Sequence, residues 1–215
     1  MHIVVVGASG RTGRLVVQQA LRAGHRVTAV ARNPLNTDLP AEAELLRADV
    51  VGDEGFALPR DADVVISALG KNSNSDRTPV CTLGTKKVMG AMRRAGIRRL
   101  VVTSASPVLR TATGEPFWFR AIVRPIVRWS GRRVYADLEH MEATLLQSAD
   151  DIVWSIVRPG YLVDDPGGAY ELVEEANAMG VVHRADLATA LLAVAERRDA
   201  AGVAYGLASR RKERR

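Results

Sequence analysis

Short runs of β-branched and aliphatic residues alternate along this chain with longer stretches whose apolar positions recur at helical spacing. The short runs are Ile3–Val6, Val27–Val30, Leu45–Ala48, Val64–Ser67, Leu100–Thr103, Ile152–Val157 and Val203–Leu207. Most are apolar throughout, as strands are when helices cover both faces of a parallel sheet. The helical stretches are Thr12–Ala23, Thr78–Ala95, Arg133–Ser148 and Ala185–Arg198, with Gly24 and Gly96 as C-terminal stops for the first two. Strand–helix–strand alternation predicts an α/β protein built on a doubly wound, mostly parallel sheet. The segment 167–182 is short and mixed, and reads as a small excursion on the substrate side.

At 215 residues, with 47% hydrophobic and 25% charged residues, the chain suits one domain with a sizeable core. No repeat or linker divides it, so a single domain over 1–209 is expected, its C-terminal part completing the substrate pocket, with a basic tail at 210–215. No apolar run approaches the roughly 18 residues of a bilayer span, and Met1-His2 leads directly into Ile3–Val6. A cytoplasmic protein without a membrane partner is therefore expected.

One cysteine, Cys81, excludes an internal disulfide and reads as a buried or half-buried bystander. His2, His25, His140 and His183 have no ligand spacing, so no metal is expected. The net charge of +6 is carried mainly by arginine, lysine occurring only at 71, 86, 87 and 212. No nucleic-acid recognition motif accompanies that charge, and nucleic acid is not an expected partner.

The strongest local signal is Gly7-Ala8-Ser9-Gly10-Arg11-Thr12-Gly13, directly after the first strand and opening the first helix. Gly7 permits the tight turn, Gly10 the approach of a pyrophosphate, and Gly13 close packing of helix on strand. The helix start adds unpaired N–H groups and the positive end of the dipole. Strand before and helix after make this a Rossmann-type dinucleotide loop, with Ser9, Arg11 and Thr12 among its binding residues. The second strand ends Val30-Ala31-Arg32-Asn33, where an NAD site would carry an acid for the ribose 2′-hydroxyl. Arg32 suits a 2′-phosphate instead, and Arg11 can reach the same group, so NADP(H) is the expected cofactor. Asp49, in Ala48-Asp49-Val50, can accept from the adenine amino group. Ala68-Leu69-Gly70 lets backbone pass close to the ribose.

In this order the glycine loop, Ala48-Asp49-Val50, Ser67-Ala68-Leu69-Gly70, Val101-Val102-Thr103-Ser104 and Val157-Arg158-Pro159-Gly160 resemble the atypical short-chain dehydrogenase/reductase family. That group includes NmrA-like proteins and the biliverdin reductase B, or flavin reductase, type. The resemblance runs from Ile3 to about Leu207 and takes in His183-Arg184-Ala185-Asp186-Leu187-Ala188. It implies a cofactor site that includes Ser104 and Pro159, with Ser104 as the serine beside the nicotinamide. Tyr161 stands where the biliverdin reductase B type has a histidine. It is either a hydrogen-bond donor to the acceptor or a pocket wall. The Tyr-x-x-x-Lys proton relay of conventional members is absent: four residues after Tyr135 stands Glu139, whose charge would raise the tyrosine pKa.

Between Ser104 and Arg133, residues 116–129 (PFWFRAIVRPIVRW) repeat arginine every four positions, at Arg120, Arg124 and Arg128, with a break or kink expected at Pro125. Three readings stand: a lid whose Phe117, Trp118 and Phe119 wall the nicotinamide, a basic amphipathic segment for a membrane surface or partner, and a core-packed connection with solvated arginines. Its place after the fifth strand favours the lid. The expectation is an NADPH-dependent reductase, monomeric or homodimeric, of a small planar acceptor. Ser104 and Tyr161 would be at its reacting end. The alternative is an NmrA-like redox sensor acting through a protein partner.

Overall fold

The computed structural model describes residues 1–33, 38–53, 55–70, 77–109, 111, 113–148, 151–178, 180–197 and 199–210. The predicted alternation is realised as β1 (His2–Val6), α1 (Arg11–Arg22), β2 (Arg26–Ala31), β3 (Glu44–Arg47), β4 (Val64–Ser67), α2 (Val80–Ala95) and β5 (Arg99–Thr103). Then come α3 (Arg124–Ser130), α4 (Arg132–Leu146), β6 (Val153–Pro159), β7 (Tyr161–Val163), β8 (Ala169–Glu174), β9 (Val181–His183), α5 (Arg184–Glu196) and β10 (Val203–Arg210). The main sheet runs β3-β2-β1-β4-β5-β6-β10-β8 and is parallel except for β8, which pairs antiparallel with β10. Strand order reverses between β1 and β4, and the crevice outside their carboxyl ends is where such sheets bind ligands.

Alternation along β1 divides the core. Ile3 and Val5 pack with Val16 and Val17 of α1 and Leu187 and Leu191 of α5. Val4 and Val6 face Val88 and Met92 of α2 and Met141 and Leu145 of α4. Both faces of each central strand are thus dry, which is why these strands read as unbroken apolar runs.

The segment 167–182 is more than an excursion. It supplies β8, the eighth strand of the main sheet, and β9, which pairs parallel with β7. In Ala169-Tyr-Glu-Leu-Val-Glu the first four residues follow the period-two pattern of an edge strand: Tyr170 and Leu172 pack on the core, and Ala169 and Glu171 face out. Residues 211–215 of the basic tail lie outside the described residues.

Helix α2 begins at Pro79-Val80 without a capping side chain of its own. Its orphan N–H groups are met from α4: the buried Asp137 carboxylate accepts from Cys81 N–H at 3.0 Å and Thr82 N–H at 2.9 Å, and from Thr82 Oγ1 at 2.7 Å. An anion at the positive end of a buried helix stabilises it by charge and by hydrogen bonding together. Cys81 itself is buried, as expected of a bystander. Asp137→Ala is expected to lower unfolding free energy by about 2 kcal/mol, read by urea titration. An unchanged midpoint would show that α2 needs no cap from α4.

Candidate dinucleotide site

The glycine loop sits at the carboxyl end of β1 with its middle open to solvent: Ser9, Gly10 and Arg11 are exposed. Gly7 has φ +77°, and a Cβ there would stand 3.0 Å from the Ala68 carbonyl oxygen. Gly13 is held tighter still, since a Cβ would fall 2.2 Å from the Gly7 carbonyl oxygen. Both approaches exclude a side chain, and together they bring the first turn of α1 against the ends of β1 and β4. Gly10 N–H donates to Gly7 O at 3.0 Å, and the first intrahelical bond is Arg14 N–H to Gly10 O at 2.9 Å. The N–H groups of Arg11, Thr12 and Gly13 therefore precede the helical ladder, with no capping side chain and no acid in the first turn. This is a cradle for an anion.

At the end of β2, Arg32 is exposed, and among the described residues no carboxylate takes it into an ion pair. Asp49 is half-buried. Its carboxylate accepts from Val51 N–H at 3.0 Å, and that bond, the Gly52 N–H and the Arg32 and Lys87 charges hold its pKa below the ordinary carboxylate value. The side chain thus closes its own turn, leaving less of it for adenine than the sequence suggested. Val50 is buried and Leu69 half-buried, and both crowd Gly84 of α2, where a Cβ would meet Leu69 Cδ1 at 2.6 Å and Val50 Cγ2 at 3.2 Å. They form one apolar surface beside the glycine loop, and Gly70 beyond it is exposed.

Ser104 ends β5, buried, its N–H donating to Val157 O at 2.8 Å. Its hydroxyl donates to Glu142 Oε1 at 2.6 Å, and the same carboxylate takes Arg158 Nε at 3.0 Å and Nη2 at 2.7 Å. Serine, glutamate and arginine are each less than a tenth exposed. The Ser104 proton is therefore committed, and the hydroxyl meets any further group as an acceptor. Arg158 Nη1 is buried with no partner among the described residues. Pro159 is buried at the end of β6 beside this cluster. Tyr161, 76% exposed on β7, stands at the rim, in solvent.

Tyr135 was expected to feel Glu139. Glu139 instead pairs with Arg128 at 2.5 Å, and it is burial that pushes the Tyr135 pKa up, with Arg128 acting the other way. The direction inferred from the sequence holds and the cause differs.

Arg11 also differs from expectation. Its guanidinium donates to Asp164 Oδ2 at 2.8 Å, and Arg184 takes the other oxygen of Asp164 at 2.7 Å. Asp164 follows β7, on the β6 side of the sheet, so Arg11 is turned away from the β2 end where Arg32 stands. In 116–129, Arg120 is exposed, but Arg124 and Arg128 turn inward. Arg124 is buried, paired with Glu115 at 3.0 Å and donating to the Pro107 and Leu109 carbonyls. Arg128 donates to Pro107 O and to Glu139. Phe117 and Trp118 face solvent, and Phe119 is half-buried. The chain passes through a widened turn at Phe119–Val123 and enters α3 at Arg124-Pro125, where the missing proline N–H costs nothing.

Glu142 and Asp137 were not foreseen. Both lie on the apolar stripe of α4 among Leu138, Met141 and Leu145, and Arg158 lies in buried strand β6 between Val157 and Pro159. A charge placed where only dry surface is available must find a partner, and that is the signal that was legible. Among the described residues no cluster of three metal-ligating side chains occurs, and no helix is long and apolar enough to cross a membrane.

The chain is 30% identical over 175 residues to an uncharacterized chloroplast protein of Arabidopsis thaliana, covering 76% of this chain and 60% of that protein. It is 26% identical over 215 residues to an uncharacterized sugar epimerase of Bacillus subtilis, covering 96% and 94%. The anaerobillin reductase ChuY of Escherichia coli O157:H7 superposes over the full length of both chains with a TM-score of 0.70 at 19% identity, a likeness of fold. The sequence model of the family described as NAD(P)H-binding matches residues 7–198. That match spans the glycine loop, all five helices and the carboxyl edge of the sheet, and the chain belongs to this NAD(P)H-binding family.

Proposed function

We propose that this protein binds NADPH and reduces a small, planar acceptor such as a flavin or quinone. The observation that carries this reading is the uncapped start of α1, set by Gly7 and Gly13 on the same sheet edge as the buried Ser104–Glu142–Arg158 cluster. The residues present fit a nicotinamide dinucleotide. The Arg11, Thr12 and Gly13 N–H groups, with Ser9 and Gly10, would receive the pyrophosphate, and exposed Arg32 the 2′-phosphate. Val50 and Leu69 would flank the adenine, with Asp49 at its edge. The backbone of Ala68 and Gly70 would border the ribose, and Ser104 and Pro159 the nicotinamide.

When bound, the nicotinamide supplies the hydride. The protein's part is to hold donor and acceptor together and orient them. Ser104, its proton held by Glu142, accepts a hydrogen bond and so fixes an amide or ring N–H. Arg158 holds the Glu142 carboxylate in place with two hydrogen bonds and so keeps the serine rotamer set. The proton that completes reduction of a flavin or quinone comes from solvent at the open rim, where Tyr161 can donate a hydrogen bond. A reductase sharing the whole fold, the anaerobillin reductase, supports this class of reaction and leaves the acceptor open. The committed Ser104 proton also suits a second reading, a non-catalytic NmrA-like sensor of NADP(H). NADPH oxidation across a panel of flavins and quinones supports the enzyme; tight NADPH binding without turnover on any acceptor supports the sensor.

Three outcomes are expected. Arg32→Asp should weaken NADPH far more than NADH in isothermal titration, by at least tenfold in the ratio, and equal losses would remove the 2′-phosphate from Arg32. Gly10→Val should abolish dinucleotide binding with the fold intact, because a Cβ there meets only Gly7 O at 3.2 Å. Unchanged affinity would refute the loop assignment. Glu142→Gln leaves Arg158 buried without its counter-charge and should cost about 3–5 kcal/mol of stability in denaturant unfolding. A loss below about 1 kcal/mol would show the pair to be dispensable.

A further inference from the structure

The helical segment Phe117–Ser130 turns its apolar side outward. Phe117 is 83% exposed, Trp118 57%, Ile122 63%, Ile126 62% and Trp129 74%. Ala121 and Pro125, also exposed, fill the gaps, so positions 118, 121, 122, 125, 126 and 129 form one continuous stripe. Side chains of this size at these exposures present roughly 700 Å² of apolar surface, above the roughly 300–600 Å² of the largest patch on an ordinary monomer. The stripe is not loosely held. Arg124 and Arg128 pin its inner side to the Pro107 and Leu109 carbonyls and to Glu115 and Glu139. The buried side of this helix is cationic and satisfied, and the outer side is aromatic and aliphatic.

Charge decides what covers it. From Pro116 to Ala136 the chain carries five arginines and no acid. Two are consumed by Glu115 and Glu139. Arg120, Arg132 and Arg133 are exposed and form no ion pair among the described residues. Trp129, Ser130, Arg132 and Arg133 line an open recess of about 300 Å³, with guanidinium groups beside an indole. Arg133 also lines a neighbouring recess with Arg77 and His140. A second copy packed isologously on this stripe would bring the same unpaired arginines from both chains into one contact, with no carboxylate of the segment to receive them. An anionic lipid surface instead offers phosphates to the arginines and acyl chains to the stripe, and places the indoles at the depth they prefer.

We propose that residues 117–133 form a peripheral docking face for anionic phospholipid bilayers, lying in the plane of the interface with Trp118, Ile122, Ile126 and Trp129 inserted and Arg132 and Arg133 on headgroup phosphates. This is surface attachment, not a crossing, since no described helix is long and apolar enough to cross a membrane, and it does not rest on the nicotinamide reading. The test is flotation of the full chain with phosphatidylcholine vesicles, with and without 30 mol% phosphatidylserine (~30% suffices for a strong surface potential), alongside the tryptophan emission of Trp118 and Trp129. Binding is expected to the anionic vesicles with a blue shift, and to weaken at least tenfold in neutral vesicles or in high salt. The double variant Ile122→Asp/Ile126→Asp should lose binding at least tenfold, as should Arg132→Glu/Arg133→Glu. Thermal unfolding of each variant checks that the fold is kept. Equal binding to neutral and anionic vesicles, or none to either, overturns the proposal. So does a dimer in light scattering that the Ile122→Asp/Ile126→Asp variant converts to monomer, which would give the stripe to a second copy.

Discussion

The approach of Gly13 to the Gly7 carbonyl governs what the sheet edge can do. A Cβ at Gly13 would lie 2.2 Å from that oxygen, so helix α1 can start this close to β1 only if residue 13 has no side chain. The same closeness carries the free N–H groups of Arg11–Gly13 to the end of the strand and sets Gly7 against the Ala68 peptide. A helix displaced by one methyl group would separate those N–H groups from the β4 end. The anion cradle and the apolar surface of Val50 and Leu69 would then no longer share one crevice.

The opposite half of that edge depends on a different device. Ser104, Glu142 and Arg158 come from β5, α4 and β6, and all are buried. Desolvating such a pair is expensive, and its net worth over an apolar substitute is small or negative. What it provides is position: two bonds from Arg158 fix the carboxylate, and the carboxylate fixes the serine hydroxyl. In the proposed function the cluster would define the reacting end, as the glycine loop would define the phosphate end.

Much of this was legible in the residues. The parallel strands read as dry runs because both faces are covered, and the glycine loop was recognisable because strand and helix flank it. Other features needed tertiary information. β8 has a period-two pattern over only its first four residues, too short to stand out beside Gly167-Gly168. In 116–129 the four-residue arginine spacing was visible, but which side faced inward was not. Carbonyls at Pro107 and Leu109 take up Arg124 and Arg128, and that choice turns the aromatics outward. Arg11 is an exposed side chain whose direction is set by Asp164, 153 residues away in sequence. Glu142 is a carboxylate on an apolar helix stripe, but the stripe alone does not name its partner, because Arg158 lies in another element.

The capping of α2 by Asp137 also constrains the order in which the chain can mature. The carboxylate that satisfies the Cys81 and Thr82 N–H groups arrives 56 and 55 residues later. As the polypeptide leaves the ribosome, the half containing β1 to α2 emerges with that helix start unsatisfied and the α2 face of the sheet uncovered by α4. Closure of the first half thus waits for the second, and vectorial synthesis does not yield a finished mononucleotide-binding unit partway along. A truncation after β5 would leave an unfinished sheet and an α2 start without its carboxylate.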